Sequence, residues 1–394
     1  MRLSVPFNGE DDLIPQLSKY PEVEELYGKL TTDFVGGGKH SFQTPSVSRK
    51  EIVNAIRKTH EYGLEFNYLL NTSCLDNKEW TPKGKRKIIQ FIEWIVNLDT
   101  DSITVSTPYL MELIKKYFPK VKLYISTLAG INTARKARYW EDLGASRLTL
   151  LNVDINRDFP MIREIRRNVK CQLKLILNSN CLNKCPLYRY HANVAAHASQ
   201  STHLSKGFVI DYCRIQCRYQ QIINPVNFIN STWIRPEDVC HYERLGIDYF
   251  KIIDRGMSTE KILSIVKSYA ARSYEGNLLD LFPMPLRNNL ALNADLLRKI
   301  KYFFRPFTAN IFRLRKLAEL VNSAVYIDNK KLNGFIEHLM QIECSKLSCR
   351  QCGYCDDISS KTVSVINIDL NRRTRDSYRD CLGDIVSGKM FKYF

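Results

Sequence analysis

Through the first two-thirds of the chain, short runs rich in β-branched and aromatic residues alternate with longer stretches whose apolar positions recur every three or four residues. The short runs read as strands at residues 2–7, 33–35, 65–71, 102–106, 122–127, 147–151, 172–178 and 249–253. Helical periodicity runs through 50–62, 82–98 and 132–143, with Gly63 and Gly144 just past the first and third, where a helix end favours glycine. Strand and helix in strict alternation are what parallel βα units require. Eight such strands predict a (β/α)8 TIM-barrel-like domain, whose function would sit on loops at the C-terminal ends of the strands. A doubly wound open sheet uses the same local pattern, because periodicity does not show closure.

The regularity breaks after the seventh strand. About 70 residues separate Asn178 from Tyr249, far more than one crossover helix needs. This insertion, 179–247, is rich in cysteine and histidine. Past residue 275 the barrel pattern stops, and GNLLDLFPMPLRNN reads as a linker. The expected organisation is therefore a barrel with its insertion over 1–275 and a smaller C-terminal module over 276–394, with helical stretches at 309–323 and 331–341.

With 394 residues, 44% of them hydrophobic, the chain can bury a large core without crosslinks. No apolar run of about 18 residues occurs, and acidic residues stand where a signal peptide needs an apolar segment, so a cytoplasmic protein without a membrane span is expected. In a reducing compartment, the clustering of eight of the twelve cysteines at short spacings points to metal ligands rather than disulfides. The net charge of +17 favours RNA, anionic small molecules or acidic carrier proteins as partners; a merely solvating basic surface stays open.

Two C-x-x-x-C pairs, NCLNKCP and DYCRIQC, place Cys181, Cys185, Cys213 and Cys217 in the insertion. Four thiolates can hold a zinc ion or a [4Fe–4S] cube; structural zinc more often uses C-x-x-C knuckles, so the wider spacing leans towards iron–sulfur. Cys240, in RPEDVCHYE, is an alternative ligand or a buried thiol. A second set, Cys344, Cys349, Cys352 and Cys355 in CSKLSCRQCGYC, is dense enough for zinc or a second [4Fe–4S] cluster. The basic, aromatic KYFFRPFTANIFRLRK suits a nucleic-acid contact or a packed amphipathic helix.

Among the histidines, His191 is the best candidate for a catalytic or substrate-binding role; His197 and His203 fit structural hydrogen bonds, and no H-E-x-x-H is present. Gly36, Gly37, Gly38 and Lys39 form a loop that could offer amides and a cation to a carboxylate or phosphate, or simply make a tight turn. Arg235, Lys251, Asp254 and Arg255 fall near the expected barrel mouth, where charge favours function.

The stretch RPEDVCHYERLGIDYFKIIDRG resembles the peptidase U32 family, whose members carry P-x-D-L-C followed by G-V-D-x-F-K-I-E-G-R near the end of their barrel. FNYLLNT, ITVSTPYLMELIK, LYISTLAGINTARKARYWEDLGASRLTL and NCLNKCP follow that family in the same order. The resemblance covers roughly residues 1–275. It implies a (β/α) barrel with a [4Fe–4S] cluster and an oxygen-independent hydroxylase acting on RNA bases or a quinone-precursor ring, with prephenate as an oxygen source. It also implies collagenase-like relatives and the use of a homologous partner subunit. Here the family's E-G-R is replaced by Ile253, Asp254 and Arg255, and DYCRIQC is similar to the quinone-pathway branch. A peptidase would need a nucleophile or a water-activating metal, and neither G-x-S-x-G nor a zincin motif is present. The expected function is an iron–sulfur-dependent, hydroxylase-like enzyme, with a U32-type peptidase and a non-catalytic RNA-binding or metal-cluster scaffold as alternatives.

Overall fold

The computed structural model describes residues 1–283, 310, 313, 324–342 and 344–391. Eight parallel strands close into a barrel: β1 (Arg2–Pro6), β2 (Val23–Gly28), β3 (Glu65–Leu70), β4 (Ser102–Val105), β5 (Lys122–Ile125), β6 (Arg147–Thr149), β7 (Gln172–Ile176) and β8 (Tyr249–Lys251). Closure comes from β1 pairing with both β2 and β8, with Leu3 opposite Val23 on one side and Phe250 on the other. The open-sheet alternative is thereby excluded.

Seven strands coincide with the sequence pattern, and one does not. Residues 33–35 form no strand; β2 is Val23–Gly28. The run VEELYG was obscured because Glu25, which is fully buried, points into the barrel, where Ser4 donates to it at 2.6 Å and Arg147 pairs with it at 2.6 Å. An inward charge breaks the apolar alternation that marks a strand. Asp33 instead makes a turn, its carboxylate accepting from the amides of Val35 at 3.0 Å and Gly36 at 2.6 Å.

The helices form where periodicity and caps agree. Arg49–Glu61 begins with a complete capping box between Ser48 and Glu51, while Pro82–Val96 starts on proline behind a Thr81 cap. Ile52, Ala55 and Ile56 from the first, with Ile88, Ile92 and Ile95 from the second, face the strands and join one continuous core.

The barrel's 72-residue excursion between β7 and β8 contains the helices Tyr188–His197 and Tyr212–Ile223 and folds back across the strand ends. Gln200 forms a bridge with Asp33, and Lys78 donates to Gln200 at 2.8 Å, so the excursion is tied to the loops after β2 and β3.

The segment read as a linker starts with a turn, Leu278–Leu281, in which Leu278, Leu279 and Leu281 are buried in the barrel's core cluster. Two short antiparallel strands, β9 (Val325–Ile327) and β10 (Val363–Val365), and the long helix Ile368–Val386 follow. The expected helix at 331–341 occurs as Phe335–Gln341, entered through Gly334 at φ +84°. The helix expected at 309–323 and the basic aromatic stretch at 301–316 lie outside the described residues, apart from Asn310 and Arg313. Among the described residues, no helix is long and apolar enough to cross a membrane.

Candidate functional site

A cavity of about 340 Å³ opens at the C-terminal ends of the strands and beneath the excursion. Its floor is polar because the barrel interior is polar: Lys174 from β7 and Lys251 from β8 reach it, as do Thr104 and Thr149. The ion pair of Lys174 with Glu25 fixes the first of these lysines. Lys251 sits over the Tyr27 ring, 3.6 Å from its centroid.

Cys181, Cys185, Cys213 and Cys217 all line this cavity. The first two come from the loop after β7, held by Thr232 donating its amide to the Cys181 carbonyl at 3.1 Å and Lys184 donating to Val153 at 2.7 Å. The other two lie one helical turn apart on Tyr212–Ile223, so they share a face. Burial pushes the Cys213 and Cys217 thiols up to about 12; Asp211, Cys185 and Cys217 add to this at Cys213, while at Cys217 Cys181 and Cys185 add to it and Arg218 opposes it. The four sulfurs therefore share one electrostatic environment, in which an uncompensated set of thiolates is disfavoured.

Six cationic side chains line the wall, Lys39, Lys174, Arg214, Arg218, Lys251 and Arg255, against the two carboxylates Asp211 and Asp254. Lys39 forms an ion pair with Asp254, and Arg255 is buried with its guanidinium 3.5 Å from the Lys29 carbonyl. Such a wall favours an anion. Burial, followed by the charge of Lys174, pushes Lys251 down to about 7 from its ordinary 10.5. The folded protein thus holds this proton less tightly than the unfolded chain, and between about pH 7 and 10.5 stability rises with pH on this lysine's account. The expected results are that sulfate binding, measured calorimetrically, weakens as pH rises through about 7, and that Lys251→Met weakens it below about pH 7 and removes that pH dependence while leaving thermal stability equal or higher. Unchanged sulfate affinity in the variant would remove Lys251 from the anion site.

His40, His191 and Asp211 also face the cavity. His191 Nε2 is 3.1 Å from Asp211 Oδ2, and His40 Nε2 is 3.7 Å from the same oxygen. Burial pushes His40 down to about 4, against the pull of Asp211. Asp211 is raised by burial, but the hydrogen bond and charge of His191 and the charge of His40 outweigh that and hold it well below the usual carboxylate range.

The structure separates other candidates from this cavity. Arg235 is buried, paired with Asp238 at 2.9 and 2.7 Å and donating to the Asn329 carbonyl at 2.9 Å, so it joins the end of the barrel to the C-terminal segment. Cys240 lies on the helix Val239–Glu243, its thiol 3.7 Å from the Glu237 carbonyl, and is not among the residues lining the cavity. His197 and His203 stack on each other, ring centroids 4.7 Å apart.

The glycine loop is not an open anion cradle. Gly36 and Gly37 direct their amides to Asp33 and to Ser199, at 2.6 and 2.7 Å, and a Cβ at Gly36 would meet the Ala196 carbonyl at 2.9 Å. These glycines let the excursion approach closely.

The sequence reading missed His40, Asp211, Lys174, Arg214 and Arg218. Asp211 had a legible signal, since its carboxylate caps the helix that carries Cys213 and Cys217.

Cys344, Cys349, Cys352 and Cys355 form a second group, the first three exposed. Burial pushes Cys355 up to about 12; the charge of Arg157 opposes this, while Cys344, Cys349 and Cys352 reinforce it. Arg157 is buried, and its Nε and Nη1 have no hydrogen-bond partner.

Comparison with known proteins places this geometry in context. The family model described as peptidase family U32 matches residues 34–275. An uncharacterized protease of Methanocaldococcus jannaschii is 29% identical over 337 residues, 84% of this chain and 87% of that protein. The 23S rRNA 5-hydroxycytidine synthase of Escherichia coli is 23% identical over 302 residues, which are 76% of this chain but 43% of the relative. A solved U32 peptidase, at 18% identity and a TM-score of 0.49, covers 64% of this chain and 93% of its own.

Proposed function

The chain belongs to peptidase family U32, and from that premise we propose that it is an iron–sulfur-dependent, oxygen-independent hydroxylase-like enzyme acting on a base of RNA. The observation that carries this reading is that four cysteine thiols and a predominantly cationic wall share one cavity. The name of the Escherichia coli relative, a synthase of hydroxycytidine in ribosomal RNA, supports RNA over a free aromatic anion, as does the net charge of +17.

The thiols fit a cluster better than a single zinc ion. With Zn–S bonds of about 2.3 Å, a zinc tetrahedron brings its sulfurs to about 3.8 Å from one another. Among the described residues, however, the one group of potential ligand atoms all within 4.8 Å is His40, His191 and Asp211, so the thiols are spread more widely. A cube that takes its thiolates on separate irons suits that spread. Cys181, Cys185, Cys213 and Cys217 would hold it, and when bound it would supply electron transfer and a Lewis-acidic iron. The chain's own residues have distinct roles. Lys39, Arg214, Arg218 and Arg255 hold the anionic groups of the substrate or oxygen donor, Lys174 and Lys251 set positive charge at the floor, and the excursion excludes water. The second group of cysteines fits a thiolate centre as well, because Arg157 offers it buried, unpartnered N–H groups.

The test compares nucleosides from total RNA, and small metabolites, of cells with and without the gene after anaerobic growth. Loss of one hydroxylated nucleoside is expected; an unchanged profile would overturn the proposal, and a change confined to a soluble aromatic acid would move the substrate from RNA to a metabolite. The name of the Methanocaldococcus relative favours a peptidase as the second reading. Peptide hydrolysis by the anaerobically purified protein, abolished by changes at the cavity, would support that alternative.

A further inference from the structure

We propose that His40, His191 and Asp211 form a separate site for one divalent transition-metal ion, held by Nε2 of each histidine and Oδ2 of the aspartate and open to the cavity. The proposal uses no cysteine, so it stands whether or not a cluster occupies the thiols.

Geometry is the first support. The three ligand atoms lie within 4.8 Å of one another. Metal–nitrogen and metal–oxygen bonds of about 2.0–2.2 Å put tetrahedral ligands about 3.3–3.6 Å apart; the observed 3.1 Å from His191 to Asp211 and 3.7 Å from His40 to Asp211 straddle that range. Along these two edges, closing on an ion needs shifts of only a few tenths of an ångström.

The second support is an unsatisfied atom. His40 is 2% exposed, and its Nε2 has no hydrogen-bond partner. A buried polar nitrogen left without a partner is unfavourable. A metal ion in front of it removes that penalty, whereas a metal-free His191–Asp211 hydrogen bond leaves it in place.

The aspartate is also pre-set. Its Oδ1 accepts from the Arg214 amide at 3.0 Å as the cap of Tyr212–Ile223, which fixes the carboxylate and leaves Oδ2 directed to the histidines. His40 arrives from the loop after β2, His191 from the helix Tyr188–His197, and Asp211 from the start of the next helix. Convergence from three distant segments explains why no local motif announced the site. Two imidazoles and one carboxylate leave coordination positions free, as in facial-triad and catalytic zinc sites. Those positions would face the same space as the cationic wall.

The test uses the full chain, purified anaerobically, stripped of loosely held metal and equilibrated with cobalt(II). One additional cobalt is expected, with a K-edge absorption spectrum showing a nitrogen and oxygen shell at about 2.0–2.2 Å rather than sulfur at about 2.3 Å. His40→Gln and His191→Gln are each expected to weaken cobalt binding by at least about 100-fold, since even outer-shell changes weaken metal sites by 10- to 100-fold. Retention of no cobalt by the wild-type chain, a shell of sulfur alone, or undiminished affinity in both variants would each overturn the proposal. The wild-type spectrum decides the question even if a variant fails to fold.

Discussion

Glu25→Gln is expected to destabilise the barrel by roughly 3–5 kcal/mol, the usual consequence of removing one partner from a buried ion pair. Glu25 is fully buried and joined to three groups: Ser4 donates to it at 2.6 Å, Arg147 pairs with it at 2.6 Å, and Lys174 forms an ion pair with the same carboxylate. Burial alone would raise its pKa, but Lys174 and Arg147 outweigh that and hold it at about 2. Because this is below the ordinary 4.5, the stabilisation is fully present above pH 4.5 and is lost as pH falls from about 4.5 to about 2. The variant should lack that part of the acid transition. Chemical denaturation at pH 7 and at pH 3 measures both effects, and a loss under about 1 kcal/mol at pH 7 would mean that water reaches the barrel interior.

The same carboxylate governs the cavity. Lys174 lines the floor, and its burial already pushes it down to about 8 in spite of Glu25. Without that counter-charge it would release its proton more readily, and the floor would lose positive charge near neutral pH. Replacing Glu25, Arg147 and Lys174 together by apolar residues of similar volume should recover much of the lost stability while leaving anion binding impaired. Such a separation would show that this network is retained for the cavity rather than for the fold.

The same inward charge explains where the sequence was hard to read. Strands such as β1 and β3 were legible because no charge stands on their buried faces, while β2 was hidden by Glu25 at a core position. Cysteine spacing disclosed both thiol groups, since i,i+4 positions on a helix and a short loop lie close together in sequence as well as in space. Convergent residues gave no such signal: His40 and Asp211 are far apart along the chain and meet only because the excursion folds over the loop after β2. Charge at an expected strand end was an incomplete guide as well. Lys251, Asp254 and Arg255 reach the cavity, whereas Arg235, nearby in sequence, turns away into its pair with Asp238.

If the proposed cluster is held as assigned, Cys213→Ser combined with Cys217→Ser is expected to remove nearly all of its iron and sulfide, and with them the visible absorption of the anaerobically purified protein. The two thiols occupy one face of a single helix and supply half of the proposed ligand set. Hydroxyls are poor replacements for thiolates on iron. Cys240→Ser is the informative control, because RPEDVCHYE made that residue a competing ligand while the fold places it on another helix beside the Glu237 carbonyl. It should retain full iron content. The variants are compared in a background in which Cys344, Cys349, Cys352 and Cys355 are all serine, so that the second group cannot supply the signal. Iron retained by the double variant, or lost on changing Cys240 alone, would show that the ligands are drawn from elsewhere. The cationic wall would then face a cavity without the centre proposed for it.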